Sequence, residues 1–338
     1  MRRRSKMAIG LYSAGIIGTG SYLPEKVITN KDLEQIVDTS NEWIVKRTGI
    51  RERRIAEDCQ ATSDLATNAA LLALEDAELT AKDIDLILIA TSTPDMPFPS
   101  TACIVQHNIK AENSAAFDLE AACSGFIYAL NTAHQYIATG FYKNILVIGA
   151  ECLSRITNWK DRRTCVLFGD GAGAAVVSRV KNGYGFLSHY LGADGSGAAA
   201  LNVKAGGSRM PATLETIEQN YHTIYMDGSE VFKFAVRIMS TAAEEALRLA
   251  GLEKESIDYL IPHQANIRII ENAAKRLNLS MAKVFFNLDK YGNMSAASIP
   301  VALDEAVKSG KIKKGDNVCL VGFGAGLTWG SSILKWHK

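Results

Sequence analysis

The sequence predicts an α/β fold built from two similar halves, and three observations carry that prediction. The apolar segments that read as strands are short and continuous rather than alternating, as strands are when helices cover both faces of their sheet. Segments of helical period separate them. A constant offset of 173 residues also carries one part of the chain onto another. It takes Ala73-Leu74, Ala77, Leu79 and Ile84-Asp85 to Ala246-Leu247, Ala250, Leu252 and Ile257-Asp258. The same offset takes Ala129-Leu130 to Ala302-Leu303, Asn144 to Asn317 and Gly149 to Gly322. Independent loops would drift over such a span, so the offset marks two copies of one unit.

Taken in order, the chain opens on a basic run, Met1-Arg2-Arg3-Arg4-Ser5-Lys6-Met7, which lacks the apolar core of a signal peptide and points to an alternative start at Met7 or to an added, non-native leader. In the first copy, strands are expected over Asp85 to Thr91 and Asn144 to Ala150, with a helix running from Phe126 through Tyr136 between them. In the second copy, strands are expected over Asp258 to Ile261 and Asn317 to Val321, with a helix opening at Gln264. The boundary falls near residues 180 to 185, giving units 8–182 and 183–338 packed about a pseudo-twofold axis. Across 338 residues, 37 basic and 36 acidic side chains nearly balance, so charge points to neither nucleic acid nor a membrane surface. No apolar run approaches the length of a membrane span. Six cysteines without CxxC spacing argue against a disulfide framework or a zinc site and fit a reducing cytoplasm.

Cys123, in Glu120-Ala121-Ala122-Cys123-Ser124-Gly125, is the leading chemical candidate. It stands where a helix begins, and unpaired amides and the helix dipole there are expected to lower a thiol pKa. His263 follows the strand at Asp258 to Ile261, at the carboxyl end where α/β sheets present functional groups. Asn293 lies in the turn Tyr291-Gly292-Asn293-Met294-Ser295-Ala296-Ala297-Ser298, whose small residues suit a pocket lining. The repeat places Cys123 opposite position 296, so Cys123, His263 and Asn293 are expected to converge where the halves meet. Gly169-Asp170-Gly171-Ala172-Gly173 and Gly322-Phe323-Gly324-Ala325-Gly326 lack dinucleotide or Walker spacing. The second cluster could aim a backbone N–H at an oxyanion. Arg268, Lys275 and Arg276 share one helical face, either a solvated surface or a docking patch for an acidic partner.

These residues, with Gly18-Thr19-Gly20-Ser21-Tyr22-Leu23-Pro24, Asn41-Glu42-Trp43-Ile44, Arg47-Thr48-Gly49-Ile50, His263-Gln264-Ala265-Asn266-Ile267-Arg268 and Thr328-Trp329-Gly330, give the chain its resemblance to β-ketoacyl-[acyl-carrier-protein] synthase III of the thiolase superfamily. The resemblance implies a thiolase-like fold with duplicated βαβαβ-type halves in five αβαβα layers, and a cytoplasmic homodimer that initiates fatty acid biosynthesis. It implies a triad of Cys123, His263 and Asn293, with the oxyanion held by the backbone of Cys123 and Ala325. Trp43, Arg47 and Arg162 match CoA-binding positions. Gln264, Ala265, Asn266, Ile267 and Arg268 match the carrier-protein contact, and Phe98 matches an acyl-pocket residue supplied by a neighbouring subunit. The substrates implied are an acyl-CoA and malonyl-acyl carrier protein, with no separate cofactor and no metal. Four departures bear on affinity: Met294, Ser229, Arg163 and the Ala325-Gly326-Leu327 run. Other readings fit less well. A condensing enzyme with another acceptor is the nearest; a biosynthetic thiolase needs a second cysteine, for which only Cys319 is placed; an elongating synthase would pair two histidines. A nicotinamide enzyme, a cysteine protease and a non-catalytic scaffold each leave the triad or the repeat unexplained.

Overall fold

Alternate residues of the apolar strands serve two different cores, and that division builds the layers. Leu86, Leu88 and Ala90 join Ile145 and Val147 in one buried cluster, while Ile87, Ile89, Leu146 and Ile148 turn to another. In the second half Val318 and Leu320 share the first cluster, and Cys319 and Val321 face a third. A strand buried on both faces has no polar side to show, which is why its sequence does not alternate.

The computed structural model describes residues 11–338; the basic opening and the start of the 8–182 unit lie outside the described residues. A five-stranded sheet runs in the order Ala14–Tyr22, Gly171–Arg179, Asn144–Glu151, Leu86–Ala90, Ala115–Leu119. A four-stranded sheet runs Tyr259–Pro262, Asn317–Gly324, Thr328–Lys335, Gly185–Ala193. The helices Gly125–Ala138 and Ser298–Lys308 lie between the sheets and meet both. Thr62–Asp76 and Thr101–Asn108 cover the outer face of the first sheet, and Gly228–Ala250 and Ile267–Arg276 cover the second. The result is a five-layer αβαβα arrangement with a thiolase-like fold. Among the described residues no helix is long and apolar enough to cross a membrane.

The offset of 173 survives in atomic detail. Turns at Ala81–Asp83 and Lys254–Ser256, turns at Ala122–Ser124 and Ser295–Ala297, and strands Asn144–Glu151 and Asn317–Gly324 are all related by it. The Asn144 side chain donates to the Asp83 carbonyl at 2.9 Å, and its counterpart Asn317 donates to the Ser256 carbonyl at 3.0 Å. The Asn144 amide donates to the Asp85 carboxylate at 3.0 Å, and the Asn317 amide to Asp258 at 2.9 Å. Two details differ from the sequence reading. The helix expected from Gln264 begins at Ile267, because the Asn266 side chain accepts from the Arg268 amide and caps it there. The second sheet also keeps only a lone parallel bridge, Leu260 to Val284, beside the strand that matches Leu86–Ala90.

The central layer is closely fitted: a Cβ on Gly149 would collide with the Ala296 carbonyl oxygen. Gly149→Ala should therefore cost about 2–3 kcal/mol, seen as a lower urea midpoint at unchanged slope. A midpoint equal to the wild type would show that the turn at Ser295–Ala297 yields freely.

Candidate active site

Cys123 sits in the turn Ala122–Ser124, from which the buried helix Gly125–Ala138 springs. Ala122 holds a φ of 45°, and its repeat counterpart Ser295 a φ of 46°. Such left-handed non-glycine residues cost about 1–3 kcal/mol each, so packing must hold both turns in place. The Ser124 hydroxyl donates to the Ala121 carbonyl at 2.8 Å. Thr328, 2.9 Å from that hydroxyl, donates to the Ala325 carbonyl at 3.0 Å. Gly324 passes so close that a Cβ there would lie 2.6 Å from the Cys123 nitrogen. The cysteine turn and the Gly324–Gly326 segment are thereby fixed to one another.

His263 follows the strand Tyr259–Pro262, its amide donating to the Val321 carbonyl at 2.8 Å. Its ring meets Phe323 edge-on, 5.7 Å between centroids, and Nδ1 is buried without a partner among the described residues. Asn293 is held from the other half of the molecule: its amide donates to the Leu167 carbonyl at 2.8 Å and its carbonyl accepts from Gly169 at 3.0 Å. The Asn293 side-chain oxygen accepts from the Ser295 amide at 2.8 Å, which leaves its NH2 as the free donor. Cys123, His263 and Asn293 line one cavity together with Met226, Phe232 and Phe323, holding about 590 Å³ of empty space. A second cavity of about 920 Å³, lined by Ser92, Glu120, Leu153, Ile156, Ser295 and Ala325, also reaches Cys123. The thiol stands between two chambers.

Burial pushes the Cys123 thiol up to about 12; the Ser295 hydroxyl pulls the other way, and the Glu151 carboxylate adds to the rise. The lowered pKa expected from the helix start is thus corrected. A rise of that size is worth about 4 kcal/mol, whereas a helix terminus contributes about 0.3–1 kcal/mol and at most ~2. Burial likewise brings the His263 imidazole down to about 3. Burial thus disfavours the charged form of both groups. Cys319, the cysteine of the other half, lies buried inside its strand beside Ser331, with its thiol also pushed up to about 12 by burial.

Three of the remaining candidates meet at one indole ring. The Arg47 and Arg162 guanidinium groups lie 4.8 and 5.5 Å from the centre of the Trp43 ring. The Asn266 side chain, itself a cavity wall, donates to the Arg47 carbonyl at 2.9 Å. Gln264 is fully buried, and its amide donates to the Pro262 carbonyl at 2.7 Å and accepts from the Asn287 amide at 3.1 Å. Ala265, Asn266 and Ile267 are half-buried, so in this segment Arg268 is the exposed side chain, on the same helix as exposed Lys275 and Arg276. Arg268 rests 5.2 Å from the ring of Phe232, a cavity residue. Phe98 is 83% exposed and lines neither cavity. Met294 is buried in an apolar cluster with Tyr291, Ala297 and Val301, where a threonine hydroxyl has no evident use. Arg163 is spent on Asp161 at 2.9 Å, and Ser229 belongs to the helix cap formed by Asp227. Ala325 is not among the positive-φ residues, so alanine meets no penalty there. Two residues that sequence reasoning missed, Ser295 and Glu151, act on the thiol in opposite directions, and Ser295 lines the second cavity with it. Ser295 could have been found as the repeat counterpart of Ala122. Glu151 could have been found as the single acid closing an apolar strand.

Five layers with a buried cysteine turn at their centre define a thiolase-like acyltransferase. The family model for 3-oxoacyl-[acyl-carrier-protein] synthase III matches residues 117–195, and the model for its C-terminal part matches residues 247–336. The β-ketoacyl-[acyl-carrier-protein] synthase III of Caldanaerobacter subterraneus subsp. tengcongensis is 66% identical over 326 residues, covering 96% of this chain and 98% of that protein. That of Clostridioides difficile is 62% identical over 323 residues, with 96% and 98% covered. The crystal structure of 3-oxoacyl-[acyl-carrier-protein] synthase III from Aquifex aeolicus superposes with a TM-score of 0.89 at 50% identity, covering 96% of this chain and all of that one. The chain belongs to the β-ketoacyl-[acyl-carrier-protein] synthase III family.

The neutral His263 links stability to pH with a definite sign. In the unfolded chain the imidazole takes up a proton below about 6.5, whereas the folded protein resists protonation until about 3. This contribution is complete above the unfolded value and is lost as pH falls. Between pH 6 and 4, wild-type stability should fall faster than that of His263→Ala by about 1.4 kcal/mol per pH unit. Parallel slopes in denaturant titrations would mean that His263 protonates as readily folded as unfolded.

Proposed function

We propose that Cys123 accepts a short acyl group, acetyl foremost, from its CoA thioester, and that the chain condenses it with malonyl-acyl carrier protein. In the first half-reaction the sulfur attacks the thioester carbonyl and CoA leaves. The oxyanion is held by the backbone N–H groups of Cys123 and Ala325, and the approach of Gly324 to the Cys123 nitrogen supports that pairing. In the second, malonyl-acyl carrier protein enters the same chamber and loses carbon dioxide. Its thioester oxygen takes the developing enolate charge and accepts hydrogen bonds from neutral His263 and from the Asn293 NH2. The enolate carbon then attacks the acyl-Cys123 carbonyl, releasing 3-oxoacyl-acyl carrier protein and restoring the thiol. This condensation initiates fatty acid biosynthesis. Every step runs on protein groups and the two thioesters.

The observation that carries this reading is the single cavity lined by Cys123, His263 and Asn293, with the Asn293 oxygen already accepting from Ser295 so that its NH2 is left to donate. Trp43, Arg47 and Arg162 would hold the CoA nucleotide: an aromatic face flanked by two guanidinium groups suits an adenine and its phosphates. Arg268 would meet the acidic carrier. The division into units 8–182 and 183–338 is supported by the chain's passage from one sheet to the other between Arg179 and Gly185. A homodimer belongs to the same reading, with Phe98 of one copy closing the acyl chamber of the other, as does a cytoplasmic setting, where cysteines stay free.

Incubated with acetyl-CoA, the wild type should gain one acetyl mass on Cys123 and, with malonyl-acyl carrier protein, form acetoacetyl product. Cys123→Ala should lose both, and comparable turnover in the variant would remove Cys123 from the mechanism. Arg268→Ala should raise the Michaelis constant for malonyl-acyl carrier protein roughly fivefold, the value of a ~1 kcal/mol rim contact, while acetyl-CoA loading stays unchanged. An equal effect on both half-reactions would place Arg268 elsewhere in the cycle.

A further inference from the structure

We propose that Glu305 is a positioning residue for the condensation step, setting the spacing of His263 and Asn293 through Asn287 and Tyr291. This rests on the reading of His263 and Asn293 as the donors that meet the enolate. Two donors that must converge on one oxygen depend on the distance between their backbone supports as much as on their own chemistry.

One short helical turn, Leu288–Tyr291, links the two supports. At its start, the Asn287 amide donates to the Gln264 side chain at 3.1 Å, and Gln264 donates to the Pro262 carbonyl at 2.7 Å. Those bonds close the turn that carries His263. At its end, the Gly292 amide donates to the Leu288 carbonyl at 2.9 Å, Gly292 takes a φ of 64°, and Asn293 follows. Four residues of helix have too few internal hydrogen bonds to keep their shape unaided.

The Glu305 carboxylate clamps both ends of this turn. One oxygen accepts from the Tyr291 hydroxyl at 2.6 Å, and the other accepts from the Asn287 NH2 at 3.0 Å. Asn287 stands where an asparagine ordinarily caps the first amides of a helix, yet its side chain makes no such bond. That local preference is given up for the carboxylate. Asn287 and Tyr291 are buried and Glu305 is half-buried. Among the described residues no lysine or arginine forms an ion pair with Glu305.

The clamp is mounted on a fixed platform. Glu305 belongs to the central helix Ser298–Lys308, whose Ala302, Leu303 and Ala306 lie in the core between the sheets. Its neighbour Asp304 is fully buried and accepts from the Thr19 hydroxyl at 2.8 Å and the Ser21 hydroxyl at 2.6 Å. The offset of 173 takes Thr132 to Glu305, and the Thr132 hydroxyl donates within its own helix, to the Tyr128 carbonyl at 2.9 Å. The carboxylate is thus present in the half that carries His263 and Asn293 and replaced in the other.

The test follows the two half-reactions separately in the whole protein. Acetylation of Cys123 by acetyl-CoA is read by mass in a single turnover, and product formation is read when the acetylated protein meets malonyl-acyl carrier protein. Glu305→Ala should slow condensation turnover about thirtyfold, the scale of a donor displaced by less than ~1 Å, with acetylation and the Michaelis constant for malonyl-acyl carrier protein within about twofold. Glu305→Gln should recover most of the rate. Its oxygen can still accept from Tyr291, and the Asn287 oxygen, buried without a partner among the described residues, can accept from the new NH2 once the Asn287 amide turns over. Tyr291→Phe should slow the same step about fivefold and add little to Glu305→Ala, as parts of one network do. Should Glu305→Ala fail to fold, Tyr291→Phe carries the test under the same criteria. Equal losses in both half-reactions, a raised Michaelis constant at unchanged turnover, or no recovery in Glu305→Gln would overturn the assignment and leave His263 and Asn293 as the donors. Condensation that survives in both His263→Ala and Asn293→Ala would instead overturn the reading beneath it.

Discussion

The interpenetration of the two halves at their central turns is the constraint on which the site depends. The turn at Ser295–Ala297 is pressed into the first sheet's strand, where Gly149 leaves room for the Ala296 carbonyl. The turn at Ala122–Ser124 is pressed into the second sheet's strand, where a Cβ on Gly322 would lie 3.4 Å from the Cys123 carbonyl oxygen. Gly149 and Gly322 are repeat counterparts, as are Cys123 and Ala296. Each half therefore holds the other's turn, and each turn is kept in a backbone conformation it would not adopt alone. The geometry of the thiol is set by tertiary packing and not by its own helix.

Dryness follows from that packing, and it dictates the electrostatics. Cys123 and His263 are each so buried that the charged form is disfavoured, in opposite directions on the pH scale. A site of neutral groups suits a reaction whose charge appears only on the way to the transition state, because fixed donors then meet it without rearrangement.

Much of the fold was legible in the sequence because duplication writes the same apolar pattern twice, and strands buried on both faces cannot hide among alternating ones. Cys123, His263 and Asn293 were legible for the same reason, since the repeat put them on facing turns. What escaped was energetic. The helix start at Cys123 signals a lowered pKa only when the terminus outweighs desolvation, and the depth of burial is written in no local motif. Gln264 looked like part of a docking segment, yet its amide closes a turn between Pro262 and Asn287. Glu151 was passed over because an acid ending a strand ordinarily meets water.

Duplication also raises the question of why two similar halves yield one active site. The repeat counterparts of Cys123, His263 and Asn293 are Ala296, Ala90 and Glu120. Ala296 and Ala90 are buried in the central core, and both approach the position a Cβ would take on Gly125, Ala90 to 3.0 Å and Ala296 to 3.8 Å. The mirror site has thus been closed by small side chains packed against the start of the central helix. At the paired strand ends the halves diverge as well: Gly324 gives its space to the Cys123 amide, while Glu151 fills the same position with a buried carboxylate. One half has kept the cavity and the other has become its wall, so the asymmetry that makes the enzyme lies in a few residues laid over a nearly symmetric frame.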